Sequence, residues 1–152
     1  MDNSRKSILT YIEYSRKITT IILQRMAPVR KKYNLTKLDA NALIFFAGEE
    51  HPPIASEFSK CGSYSKSNVS KALSDLSKKN LVIMESNKDD RRYQKIQLTD
   101  EGKKVAKELK ETIEPIISTL SKGITTEQKK IMISFMTQLK DNINEVMEDI
   151  EG

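Results

Sequence analysis

Residues 90–102 constrain the fold of this chain most: Asp90-Arg91-Arg92-Tyr93-Gln94-Lys95-Ile96-Gln97-Leu98-Thr99-Asp100-Glu101-Gly102. A basic tip runs into a segment in which Tyr93, Lys95 and Gln97 alternate with Gln94, Ile96 and Leu98, and a threonine then opens a helix. Alternation at period two marks a half-buried strand, and Leu81 to Ser86 supplies a partner strand across the polar run Asn87 to Arg92. The two strands make a hairpin.

The remaining pattern is helical. From about Ser4 to Met26 the residues Ile8, Tyr11, Ile12, Ile18, Ile21 and Ile22 recur near helical spacing, and Pro28 disfavours helix at the residue before it. Thr36 and Asp39 form a variant capping box ahead of Leu38, Ala42, Leu43, Phe45 and Phe46, a second helix ending near Gly48. His51-Pro52-Pro53 is a break, Ile54, Ala55 and Phe58 make a short third helix closing at Cys61-Gly62, and Ser63-Tyr64 forms a turn. Ser65 caps a fourth helix with Val69, Ala72, Leu73 and Leu76 facing inward, and Asn80 is its left-handed stop. Thr99 caps a long helix through Val105, Leu109, Ile113, Ile116, Ile117 and Leu120, which Pro115 should bend or interrupt. Thr125-Thr126-Glu127-Gln128 is a full capping box opening a last helix with Ile131, Phe135, Leu139, Ile143, Val146 and Ile150 on one side.

The outer face of the fourth helix carries only small polar and basic residues: Lys66, Ser67, Asn68, Ser70 and Lys71, with Ser65 at its cap. A helix fits the major groove of DNA and its first residues reach base edges, where asparagine pairs with adenine and lysine with guanine or phosphate. Ser65 would aim the helix N-terminus at a phosphate. Beside it, Arg91 and Arg92 crown the hairpin, where arginine enters a narrow minor groove, and Asp90 orients Arg92. Helix plus hairpin reads as a winged helix-turn-helix.

The ordered set Leu81-Val82, Asp90-x-Arg92 and Leu98-Thr99-x-x-Gly102 resembles the MarR family of regulators over roughly residues 35 to 110. The resemblance implies a mainly α fold with a small β-hairpin wing, one domain over 1–152, a DNA-binding head at about 35–98, and dimerisation helices at about 4–26 and 99–150. It implies a homodimer on a pseudo-palindromic operator in double-stranded DNA. It also implies a repressor released by a small hydrophobic or aromatic effector bound between dimerisation helices and head, which here points to Tyr11, Tyr14, Met26, Phe45 and Phe46. Gly62 stands where the family usually has an apolar residue, Asn80 replaces a common glycine, and Ser65 stands where many members have an acid.

Composition narrows the function class. A single cysteine, Cys61, excludes an intramolecular disulfide, and a single histidine, His51, removes most metal chemistry, so no metal or cofactor is expected. There is no Ser-His-Asp order, glycine-rich phosphate loop or nucleotide fingerprint, which argues against an enzyme. No long apolar run or signal pattern is present, so a soluble, cytoplasmic protein without a membrane partner is expected. The net charge of +5 is unevenly placed, with 9 Lys/Arg against 5 Asp/Glu over residues 51–98 and 8 against 11 over 99–152. Two other readings stay open: a redox-responsive regulator acting through Cys61, although a small buried hydrophobe fits Cys61 better, and a winged-helix interaction or RNA-binding module, to which Tyr64 and Tyr93 could lend stacking surfaces.

Overall fold

The structure is a computed structural model that describes residues 3–50, 53–86 and 93–151. The elements are α1 (Asn3–Arg25), α2 (Ala27–Lys32), α3 (Lys37–Phe46), α4 (Ala55–Gly62), α5 (Lys66–Lys78), β1 (Val82–Ser86), β2 (Gln94–Leu98), α6 (Asp100–Leu120) and α7 (Thr126–Glu151). Two compact units divide the chain, Met1–Ile116 and Ile117–Gly152.

The first unit is built around a core in which Leu43 of α3, Leu73 and Leu76 of α5, Ile96 of β2, and Val105 and Leu109 of α6 are almost wholly buried together with Met26. Each side-chain cap anticipated from sequence is made. Thr36 and Asp39 form a reciprocal capping box, and the Ser65 hydroxyl accepts the Asn68 N–H at 3.2 Å. Asn80 ends the α5 turn at φ 59°, a left-handed conformation that asparagine tolerates better than most side chains.

Strands β1 and β2 pair antiparallel with Val82 opposite Leu98, Met84 opposite Ile96 and Ser86 opposite Gln94. The alternation holds: Ile96 is buried while Lys95 and Gln97 are exposed. Pro53 and Ile54 add a short third segment on the other edge, where the Ile96 N–H donates to the Pro53 carbonyl at 2.8 Å and Ile54 bridges Lys95. A single bridge has no periodicity to betray it in sequence.

The Leu-Thr-x-x-Gly run has a concrete geometry. Thr99 donates its hydroxyl to the Asn80 carbonyl at 2.7 Å and its N–H to the Leu81 carbonyl at 3.1 Å, and accepts the Gly102 N–H at 3.0 Å. The end of α5, the start of β1 and the start of α6 are thereby tied at one point.

Two expectations about proline are corrected. The first helix does end ahead of Pro28, at Arg25, but helix resumes at once: Met26 keeps helical dihedrals and Ala27 opens α2, because proline in a first turn lacks only an N–H that has no helical acceptor there. Helix α6 is not interrupted at Pro115, since it runs on to Leu120 and the next turn closes through the Ser121 N–H to the Ile117 carbonyl at 2.9 Å.

In the second unit the Thr125 box is complete, with its N–H on Gln128 Oε1 at 2.8 Å and its hydroxyl accepting the Gln128 N–H at 3.2 Å. Among the described side chains of α7 only Leu139 is half-buried; Ile131, Ile133, Phe135, Ile143, Val146 and Ile150 are all exposed.

Candidate nucleic-acid interface

Helix α5 divides cleanly by face. Val69, Ala72, Leu73 and Leu76, spaced i, i+3, i+4 and i+7, are buried against α3, α4 and β1. Ser65, Lys66, Ser67, Asn68, Ser70 and Lys71 are all exposed, so the six residues singled out from sequence come together at one end of one helix. Their short side chains leave the backbone accessible, and the helix N-terminus adds its partial positive charge to the two lysines.

That end is held from below by Tyr64. Its ring stacks on Phe58 at 5.1 Å, its hydroxyl accepts from Asn41 Nδ2 at 3.0 Å, and its carbonyl accepts the Ser59 hydroxyl at 2.6 Å. A Cβ on Gly62 would stand 2.0 Å from this ring, which explains why glycine occupies a place where an apolar side chain is otherwise usual. Tyr64 is thus packed rather than free to stack on a base, whereas Tyr93 is 58% exposed.

The opposite end of α5 is anchored by Lys79, whose Nζ donates to the Asn34 carbonyl at 2.5 Å and lies 3.9 Å from the buried carboxylate of Asp39. A third tie joins α2 to α6. Glu108 accepts from Lys32 Nζ at 2.8 Å and from the Tyr33 hydroxyl at 2.7 Å, and these two hydrogen bonds hold its carboxyl below the ordinary range. The same bond to Glu108 raises Lys32. Sequence reading missed both cross-links, because nothing local relates residues 75 positions apart.

The expected wing residues Asp90, Arg91 and Arg92 lie outside the described residues. Of the five residues offered for an effector site, Met26, Phe45 and Phe46 belong to one core cluster, whereas Tyr11 and Tyr14 lie on α1 outside it. Met26 is in the core, Tyr11 is half-buried, and Tyr14 is exposed with Lys17 Nζ 5.5 Å from its ring centroid. Phe45 and Phe46 meet edge to face at 5.0 Å. Phe46 lines a cleft of about 940 Å³ between the end of α3, β2 and α6, with Ile96, Leu98, Ala106, Lys103, Lys107 and Lys110. Phe45 lines a smaller one of about 330 Å³ with Phe58, Cys61 and Tyr64.

Cys61 is exposed, not a buried hydrophobe. Among the described residues no group of three or more His, Cys, Asp or Glu is placed to hold a metal ion, and no helix is long and apolar enough to cross a membrane.

The family model described as transcriptional regulator SarA/Rot matches residues 24–109, more than half of the chain. No curated protein matches by sequence. Among solved structures the fold is shared with a MarR-family transcriptional regulator from Silicibacter pomeroyi, at 19% identity over 94% of this chain and 97% of that one, with a TM-score of 0.76. Staphylococcus aureus MepR in its DNA-binding conformation gives 19% identity, 88% and 98% coverage and a TM-score of 0.76. Staphylococcus aureus MarR in complex with salicylate and kanamycin gives 19% identity, 93% coverage of both chains and a TM-score of 0.71.

Proposed function

This chain belongs to the SarA/Rot family of transcriptional regulators, and from that premise we propose that it reads double-stranded DNA as a homodimer and represses transcription until a small aromatic or hydrophobic molecule releases it. It is a regulator, not an enzyme. The observation that carries the reading is the outer face of α5, where Lys66, Ser67, Asn68, Ser70 and Lys71 stand exposed over a fully seated apolar face.

In this reading Asn68 and Lys71 contact base edges, Ser65 and Lys66 the adjoining phosphates, and Arg91 and Arg92, oriented by Asp90, the neighbouring minor groove. The head is residues 35–98, and the helices over 4–26 and 99–150 join two copies. The apolar surface of α7 supports this, because a helix that leaves most of its apolar side chains exposed gains little from propensity and needs a partner. The occupant is a second copy of the same helices, as the two-fold dimer of a palindrome reader requires.

The cleft over Phe46, Ile96, Leu98 and Ala106, lined by Lys95, Lys103, Lys107 and Lys110 against Glu49, Glu111 and Glu114, offers an apolar floor with a mixed charged rim that leaves one cation in excess for an amphipathic organic anion. The salicylate complex of Staphylococcus aureus MarR supports an effector of this class. A ligand there favours release only if it binds the two spacings of the recognition helices unequally.

Selection from a random duplex pool tests the reading. The expected result is a pseudo-palindrome with half-sites about 10 bp apart, centre to centre. Salicylate titrated into that complex should weaken it with a coupling of about 1 to 3 kcal/mol. Equal retention of single strands and duplex, with no enriched sequence, would refute the DNA-reading assignment.

A further inference from the structure

Between Glu13 and Asp39 the chain carries seven Lys/Arg and no acid, a one-sign stretch longer than any over the recognition helix. Two of these cations are neutralised, Lys17 by Glu13 at 2.7 Å and Lys32 by Glu108 at 2.8 Å. Arg25, Arg30, Lys31 and Lys37 have no ion pair among the described residues, and Arg30 keeps its enclosed Nε without a hydrogen-bond partner. Lys31 and Lys37 are exposed. Leaving like charges together without counter-charges is unfavourable, and an external polyanion relieves it.

The position of this cluster identifies the anion. Arg30 and Lys31 sit in α2 and Lys37 opens α3, and the turn between them is fixed to the last turn of α5 by the bond from Lys79 to the Asn34 carbonyl. A helix of 13 residues is about 20 Å long at 1.5 Å per residue, whereas the major groove is about 12 Å wide. A helix set obliquely across the groove, with its first residues on the bases, carries its far end out over the flanking sugar-phosphate chain.

We propose that the α2–α3 turn, through Arg30, Lys31 and Lys37, is a second DNA contact that grips the backbone beside the groove read by α5. The contact rests on the DNA-reading assignment made above. It carries no sequence information and is therefore expected on every duplex.

The test compares the full-length protein with Lys31→Ala/Lys37→Ala and with Asn68→Ala, each titrated against a mixed-sequence duplex and against a duplex selected from a random pool, over a series of salt concentrations. Removing two phosphate contacts from each protomer, four per dimer, should make the slope of log K against log salt shallower by about 3.6, at about 0.9 per contact. The loss should be equal on both duplexes, so that the ratio of specific to non-specific affinity is unchanged. Asn68→Ala should instead lower that ratio and leave the slope. If the double variant keeps the wild-type slope while Asn68→Ala loses discrimination, the second contact is overturned and the reading of α5 stands. If both variants bind like wild type, the reading itself fails. Both lysines are exposed, so an unchanged melting temperature shows that the loss is one of contact, and Lys31→Arg/Lys37→Arg should restore the slope.

Discussion

Gly102 lies so close to the Leu81 carbonyl that a Cβ on it would stand 1.9 Å from that oxygen. The obstacle is backbone at the start of β1, already fixed by the Thr99 N–H, so it cannot swing aside as a side chain would. Gly102→Ala is therefore expected to destabilise the head by about 3 kcal/mol, the upper end of ordinary overpacking. Urea unfolding checks this: the midpoint should fall with the slope unchanged.

Asn68→Ala and Lys71→Ala are expected to weaken binding to a selected duplex by about 1 to 3 kcal/mol each, while Lys107→Ala on α6 has little effect on DNA. Fluorescence anisotropy on one labelled duplex compares all three. Equal losses would mean that α5 is not the reading element.

Glu108 links stability to pH. Its carboxyl is held below the ordinary carboxylate value by Lys32 and then Tyr33, so its contribution is fully present above the ordinary carboxylate range and is lost as pH falls through the lowered value. Lys32, raised above 10.5 by the same bond, contributes fully below that value and loses its share as pH rises through the raised one. Glu108→Gln should melt lower than wild type at neutral pH, with the difference shrinking towards both extremes. A constant difference across the range would assign the effect to packing.

Sedimentation at micromolar concentration should give a dimer, and Ile143→Asp/Val146→Asp should shift it to monomer. Both side chains are more than half exposed on α7, so a charge there costs the isolated chain little but would be buried unpaired in a dimer. A variant that stays dimeric would place the interface elsewhere.

What sequence revealed followed from how local each signal was. The caps at Thr36, Ser65, Thr99 and Thr125 join residues three apart, and the strand alternation around Ile96 spans two, so both could be read directly. The α5 reading face was visible for the same reason: its buried stripe leaves Asn68 and Lys71 on the outside. The starts of α2 and the run of α6 through Pro115 were missed because proline's local rule was applied where position and flanking turns outweigh it. Cys61 is exposed because of which face of α4 it occupies in the fold, which residue type alone does not reveal. The basic stretch before Asp39 is legible in the residues, but it lies outside residues 51–152, where the uneven charge of the hairpin region and the tail draws the eye.

Helix α5 is clamped at both ends to the same neighbour: Tyr64 ties its first turn to Asn41 of α3, and Lys79 ties its last turn to Asn34 and Asp39 at the start of α3. Two fixed points leave a rod no freedom to swivel or slide on its support. The reading edge therefore has one fixed pose within each head, and a duplex that mismatches it is met by a rigid template rather than by an adjusting one. Discrimination between operators then falls on how two such templates are spaced and angled, and a variant that loosens either clamp should bind a broader set of half-sites without gaining affinity for any.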